Sequence, residues 1–234
     1  MQLKARNVTS KNTNIDIVSL KNCLKWSEIK QFPAKGYSAV EGAFVGVHNN
    51  VLIIAGGISF LNTKEQKRRI WHDDIWVLQK KGKDSFKWIY AGELNRRIAF
   101  GASVSTENGL ICMGGNNSSG FYSDVFMLSW EEETKTIKKH ILPDLPQKCA
   151  YGSATQVDDV IYFAGGANDF ESETAMNNFW RLDLSKEKQD QSNFNWEILP
   201  SWPGPPRAFN ITVAQFNGQS DCIYIIGGLC KKKK

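Results

Sequence analysis

A repeat constrains this chain more than any other feature. A short apolar run ending in Gly-Gly occurs four times, at 51–57, 110–115, 160–166 and 222–228. The first glycines of the pairs, Gly56, Gly114, Gly165 and Gly227, lie 58, 51 and 62 residues apart. Self-similarity at such a period means repeated supersecondary units, and it outranks any local pattern. Each run follows a turn signal: His48-Asn49-Asn50, Glu107-Asn108-Gly109, Val157-Asp158-Asp159 and the longer stretch 217–221. Before each turn sits a second strand-like segment rich in small residues, at 42–47, 100–104, 151–155 and 209–213. Two apolar runs about an Asn/Asp/Gly turn read as a β-hairpin.

A third strand follows three of the hairpins. Asp74-Ile75-Trp76-Val77-Leu78, Asp124-Val125-Phe126-Met127-Leu128 and Asn178-Phe179-Trp180-Arg181-Leu182 share the order Asp/Asn, apolar, aromatic, any, Leu. A fourth strand surrounds Trp88 and Trp196, and in the second repeat spans 136–141. Runs this short also suit buried helix, but the Val, Ile, Tyr and Phe enrichment and the glycines favour strands. Four short strands in roughly 50–60 residues are the size of a propeller blade or kelch repeat. The expected fold is therefore all-β, a kelch-type propeller with four-stranded blades, incomplete at about three and a half blades. The expected layout is an irregular segment 1–22, then a partial propeller 23–230 with a stray strand 24–30. Its blades are expected at 41–90, 99–142 and 151–199, with a half-blade at 208–228 and a lysine tail at 231–234.

Composition narrows the function. The net charge is +5, and the four terminal lysines account for all but one of it. The basicity belongs to a tail, so nucleic acid is not an expected partner. No apolar run reaches the roughly 18 residues of a membrane helix, and the first residues lack the apolar stretch of a signal peptide. Neither a membrane span nor an export signal is expected from these residues, and the compartment stays open. The five cysteines are odd in number without CxxC spacing, and the three histidines are far apart. Zinc and a disulfide framework are not expected, and no Ser-His-Asp order or phosphate loop stands out.

The stretch from Leu24-Lys25-Trp26 through Gly42-Ala43-Phe44-Val45-Gly46, Leu52-Ile53-Ile54-Ala55-Gly56-Gly57, Tyr90-Ala91-Gly92-Glu93-Leu94 and Arg97-Ile98-Ala99-Phe100-Gly101 resembles the last two blades of the N-acetylneuraminate epimerases, the sialic acid mutarotases. Residues after about Tyr151, including Pro203-Gly204-Pro205-Pro206-Arg207, resemble that family's first blades. The order is similar to a cyclically permuted branch, which a closed ring tolerates. The resemblance implies a six-bladed, cofactor-free isomerase that interconverts anomers of sialic acid and is commonly exported or periplasmic. It implies a catalytic Glu and Arg on the blade whose last strand corresponds to Leu24-Lys25-Trp26. The other strands of that blade are not found in this sequence, so the expected catalytic residues are unknown and the chain is expected to be a truncated form with impaired activity. The alternative is a kelch binding module for a protein or glycan without catalysis. Open blade edges imply self-association.

A basic residue recurs where each linker approaches a first strand. Lys35, Arg97, Lys148 and Arg207 precede the first glycine of each pair by 21, 17, 17 and 20 positions. First strands of a propeller line its channel, so Arg97, Arg207 and Lys148 are expected substrate-binding cations for a carboxylate. The alternative is a structural role on a neighbouring blade's carbonyls. Arg97 and Arg207 also match arginines of the family. Glu41, at the start of a first strand, is the candidate channel-facing carboxylate; the alternative is a solvated turn residue. Asp73, Asp74, Asp124 and Asn178 read as turn caps. Asn116-Asn117-Ser118-Ser119 reads as a loop over the channel. The acidic run 131–133 and the basic run 64–69 read as solvated loops.

Overall fold

The computed structural model describes residues 29, 32–33, 39–62, 67–82, 85–171, 175–189 and 191–230. The chain divides into a unit Met1–Gln31, of which only Ile29 is described, and a unit Phe32–Lys234. The expected stray strand 24–30, Lys35 and the lysine tail thus lie outside the described residues, apart from Ile29.

The larger unit is all-β. The first sheet orders β1 (Phe44–His48), β2 (Val51–Ala55), β5 (Asp74–Lys80) and β6 (Phe86–Glu93). The second orders β7 (Ala102–Ser105), β8 (Leu110–Met113), β11 (Val125–Glu131) and β12 (Thr136–Leu142). The third orders β13 (Ser153–Val157), β14 (Val160–Ala164), β15 (Phe179–Asp183) and β16 (Glu197–Leu199). The fourth pairs β17 (Ala208–Phe216) with β18 (Asp221–Leu229). All these pairings are antiparallel. These sheets fit a kelch-type propeller, and among the described residues no sheet closes on itself.

Local chemistry sets the turns. Asn49 and Asn50 both hold positive φ, 47° and 61°, which is the two-residue turn that matches strand twist. At Gly114 the chain takes φ +60°, and an added Cβ would sit 2.2 Å from the Cys149 carbonyl oxygen. The diglycine is therefore the point where the next blade's incoming backbone lies against the previous blade. The partner N–H, on Gly115, donates to that same Cys149 carbonyl at 2.7 Å.

Period-2 alternation buries both faces of the middle blades. Leu110 and Cys112 of β8 join a cluster with Phe44, Ile53, Val77 and Trp130, between the first and second sheets. Ile111 and Met113 point the other way and join Phe163, Trp180, Leu182 and Trp196. All four residues of β8 are fully buried. The repeated tryptophan seals neighbours: the Trp196 indole N–H donates to the Pro143 carbonyl at 2.8 Å.

The connections hold more structure than solvated loops. β3 (Ile58–Asn62) and β4 (Lys67–Trp71) form a hairpin, so the basic run ends in a strand, with 63–66 outside the described residues. β9 (Asn116–Asn117) pairs β10 (Gly120–Phe121) where a plain loop is expected. Glu132 of the acidic run binds Gln79 Nε2 at 2.7 Å through each carboxylate oxygen, and takes the Trp130 indole N–H at 2.8 Å. Lys135 completes that contact. It is a link between the first and second sheets rather than a freely solvated charge.

Candidate functional site

The first strands β1, β7, β13 and β17 lie side by side in that order. At the start of each is one residue in the left-handed region: Gly42 at φ 64°, Phe100 at 60° and Tyr151 at 61°, each two residues before its strand, and Phe209 at 58°, the second residue of β17. These four are joined through their backbones. Phe100 N–H donates to Gly42 O, Tyr151 N–H to Phe100 O, and Phe209 N–H to Tyr151 O, each at 2.7 Å. Equivalent backbone atoms of successive sheets reach hydrogen-bond distance only close to the axis on which the sheets converge. This arc marks one mouth of the axis.

Side chains follow the arc. An added Cβ on Gly42 would meet the Phe100 ring at 2.5 Å, so that ring lies over Gly42. Tyr151 packs on Phe100 with centroids 5.0 Å apart, and Phe209 on Tyr151 at 4.4 Å. Asn116, fully buried, donates its side-chain N–H to the Tyr151 hydroxyl at 2.8 Å. The position recurs in sequence, since Gly42, Phe100 and Tyr151 each stand 14 residues before the first glycine of their pair. That spacing was the available signal for these residues, which a search for charged groups misses.

The predicted site residues border this mouth in different ways. Arg97, three residues before Phe100, has an exposed side chain 3.8 Å from the Asp73 carboxylate. Its carbonyl accepts from the Asn117 side-chain amide at 2.8 Å. Lys148 stands three residues before Tyr151 and is exposed. Arg207 stands two residues before Phe209, one place out of step. Gly57, Gly115 and Gly166 donate their N–H groups to Ile98, Cys149 and Arg207 respectively. Arg207 is therefore in register with Ile98 and Cys149, not with Arg97 and Lys148, and its guanidinium is hydrogen-bonded to the Gly227 carbonyl. Glu41 is exposed beside Gly42 and pairs through its backbone with Ile58, as Ala99 does with Asn116 and Ala150 with Ala167. Close to the same mouth, the buried His72 ring lies 2.8 Å from the Ser59 hydroxyl. Burial holds its pKa below the ordinary value, against the pull of Asp74 and Asp73. Among the described residues no group of three or more His, Cys, Asp or Glu is placed to hold a metal. No helix there is long and apolar enough to cross a membrane.

This arrangement sets Arg97, Lys148 and Arg207 two or three residues ahead of the aromatic members of the backbone arc. Comparison with curated proteins finds similar sequences. An N-acetylneuraminate epimerase of Brucella suis is 26% identical over 129 residues, which is 48% of this chain and 32% of that protein. The like-named protein of Haemophilus influenzae is 25% identical over 130 residues, covering 49% and 33%. That of Escherichia coli O9:H4 is 27% identical over 129 residues, covering 50% and 33%. The chain is a distant relative of the N-acetylneuraminate epimerases. The match spans about a third of the length of these epimerases. No family model matches the chain.

Proposed function

We propose that this chain is part of a sugar-handling propeller of the sialic acid mutarotase type, which interconverts the anomers of N-acetylneuraminate. The observation that carries the reading is the coincidence of epimerase relatives with four sheets whose first strands lie side by side. The reaction needs no oxidant. A base removes the anomeric hydroxyl proton, the bond from the anomeric carbon to the ring oxygen breaks, and an acid protonates that oxygen. Reclosure on the other carbonyl face reverses each transfer, so atoms and electrons balance. In this reading Arg97 and Lys148 attract the sugar carboxylate at the mouth and Arg207 contributes from the next blade. Glu41 is the carboxylate facing the opening.

A second reading, a binding module without catalysis, is favoured by the engagement of both arginines with protein groups, Asp73 and the Gly227 carbonyl. Proton NMR of the sugar's anomers separates the two. Faster exchange between α and β signals with the purified chain supports the mutarotase. Saturation transfer to the sugar without faster exchange supports the binder and ends the catalytic reading. The same proposal expects self-association through open sheet edges; a single monomeric boundary in sedimentation velocity would contradict that.

A further inference from the structure

We propose that the junction between the second and third sheets is a binding site for an aromatic amine, a small cation with a flat apolar body, in the place that a tryptophan fills at the junction before it.

The two junctions are alike up to one position. β11 pairs Leu128 with Leu110, and β15 pairs Leu182 with Ile161, each partner standing four residues before the first glycine of its pair. Two residues further on are Trp130 in the second blade and Leu184 in the third. Trp130 is fully buried against the first sheet. Its backbone N–H donates to His48 Nδ1 at 2.9 Å, and its carbonyl accepts from the Asn49 side-chain amide at 3.0 Å.

Leu184 has neither tie. Eight and seven residues before their diglycine, Thr106 and Glu107 stand where His48 and Asn49 stand in the first blade. The Thr106 hydroxyl is engaged in its own turn, donating to the Gly109 carbonyl at 2.9 Å, and the Glu107 carboxylate has no hydrogen to donate. The Leu184 N–H bonds within its own blade, to the Asp159 carbonyl at 2.8 Å.

With a smaller side chain and no such ties, this junction stays open. A groove of about 970 Å³ is lined there by Thr106, Glu107 and Leu184, with Ile111, Met127 and Leu142 as apolar wall. Small-molecule sites occupy roughly 300–1,000 Å³. The Thr106 turn lies at the opposite end of β7 from the backbone arc, so the groove is separate from that mouth and from any sugar held there.

Charge selects the occupant. Asp158 and Asp159 join Glu107 in lining the groove, against Lys188. Among the described residues none of these three carboxylates makes an ion pair. A fourth, Glu187, is taken by His140, which links the two blades at the groove. Carboxylates beside an apolar wall attract a cation more strongly than they would in open water. The wall itself suits a ring, as the first junction suits the Trp130 indole. An aromatic amine meets both demands.

Isothermal titration calorimetry on the full chain tests the site, with tryptamine, neutral indole and anionic indole-3-acetate as probes. Tryptamine is expected to bind with a Kd below about 1 mM and roughly tenfold more tightly than indole, with indole-3-acetate weakest. Leu184→Trp places an indole where the second blade has one. It should hold or raise the melting temperature and weaken tryptamine binding about tenfold or more. Asp158→Asn keeps the turn, because Asp158 holds φ 48°, a conformation that asparagine also adopts. It should weaken tryptamine several-fold and leave indole unchanged. No binding of tryptamine by wild type overturns the site. So does a Leu184→Trp chain that binds tryptamine like wild type, or one that melts well below it, since the groove would then not accommodate an indole. Indole binding as tightly as tryptamine, or an Asp158→Asn chain with unaltered tryptamine affinity, overturns the cationic ligand.

Discussion

The Ser103 hydroxyl serves both polar groups of the Val45 backbone, accepting from its N–H at 3.2 Å and donating to its carbonyl at 3.0 Å. Fifty-eight residues separate the pair. Ser105 repeats the contact two residues on, taking the Val47 N–H at 2.8 Å. The outer edge of a first strand has no strand paired to it within its own sheet, and unpaired edge groups are a liability. Here hydroxyls of the next blade cap them. Ser153 and Thr155 cap in the opposite sense, a preceding blade serving the N–H groups of Thr212 and Ala214 on the next, at 3.0 and 3.1 Å.

Ser105→Ala should therefore lower stability by about 1 kcal/mol, the net worth of one such bond. Ser103→Ala, which removes two, should cost more. Urea unfolding midpoints at constant slope measure both; unchanged midpoints would show that water replaces the hydroxyls without loss.

Gly114→Ala should be far worse. It combines positive φ with a Cβ 2.2 Å from the Cys149 carbonyl oxygen, which is backbone and cannot swing away. A loss of about 3 kcal/mol is expected. Gly82→Ala is the control, since its nearest contact is the Ser85 Cβ at 4.0 Å. Its melt should stay near that of wild type. Equal melts for the two variants would refute the close approach of the second and third blades.

Trp196→Phe keeps most of the buried ring but strips the donor from the Pro143 carbonyl. About 1–2 kcal/mol should be lost, because the acceptor is left unpaired. Trp196→Ala should cost about 3–5 kcal/mol through the cavity it leaves. Chemical unfolding of the pair separates hydrogen bond from packing, and a Phe variant as stable as wild type would remove the bond from the account.

The hairpins and their third strands were legible because the pattern was local. Gly-Gly, the Asn49-Asn50 turn and alternating apolar residues act within a few positions of one another. What was not legible depends on long-range pairing. Glu132 reads as one charge in an acidic run until Gln79, 53 residues away, is brought against it. Its carboxyl is then held down to about 2, first by Lys135 and next by the Trp130 indole. Arg207 reads as equivalent to Arg97 by counting, but strand register moves it by one place. Phe100, Tyr151 and Phe209 were hidden for a different reason. Sequence propensity assigns left-handed backbone to glycine or asparagine, so three aromatic residues in it run against local preference.

His48 should make the fold sensitive to mild acid. It is buried at the β1–β2 turn, and its Nδ1 accepts the Trp130 N–H at 2.9 Å, so the ring must be neutral there. Burial lowers its pKa, outweighing the Glu107 carbonyl and the charge of Glu131. His72 shifts in the same direction, again chiefly by burial. A histidine with a lowered folded pKa binds its proton more readily when unfolded. Stability is then fully present above the unfolded value of about 6.5 and falls as pH drops below it. Melting temperatures should be flat from pH 8 to about 7 and decline from about 6.5 downward. His48→Leu should flatten part of that decline. It should also lower the melt at pH 8, because the buried Trp130 N–H loses its acceptor, at a cost of about 1–3 kcal/mol. A His48→Leu profile parallel to wild type across the acid limb would place the sensitivity elsewhere.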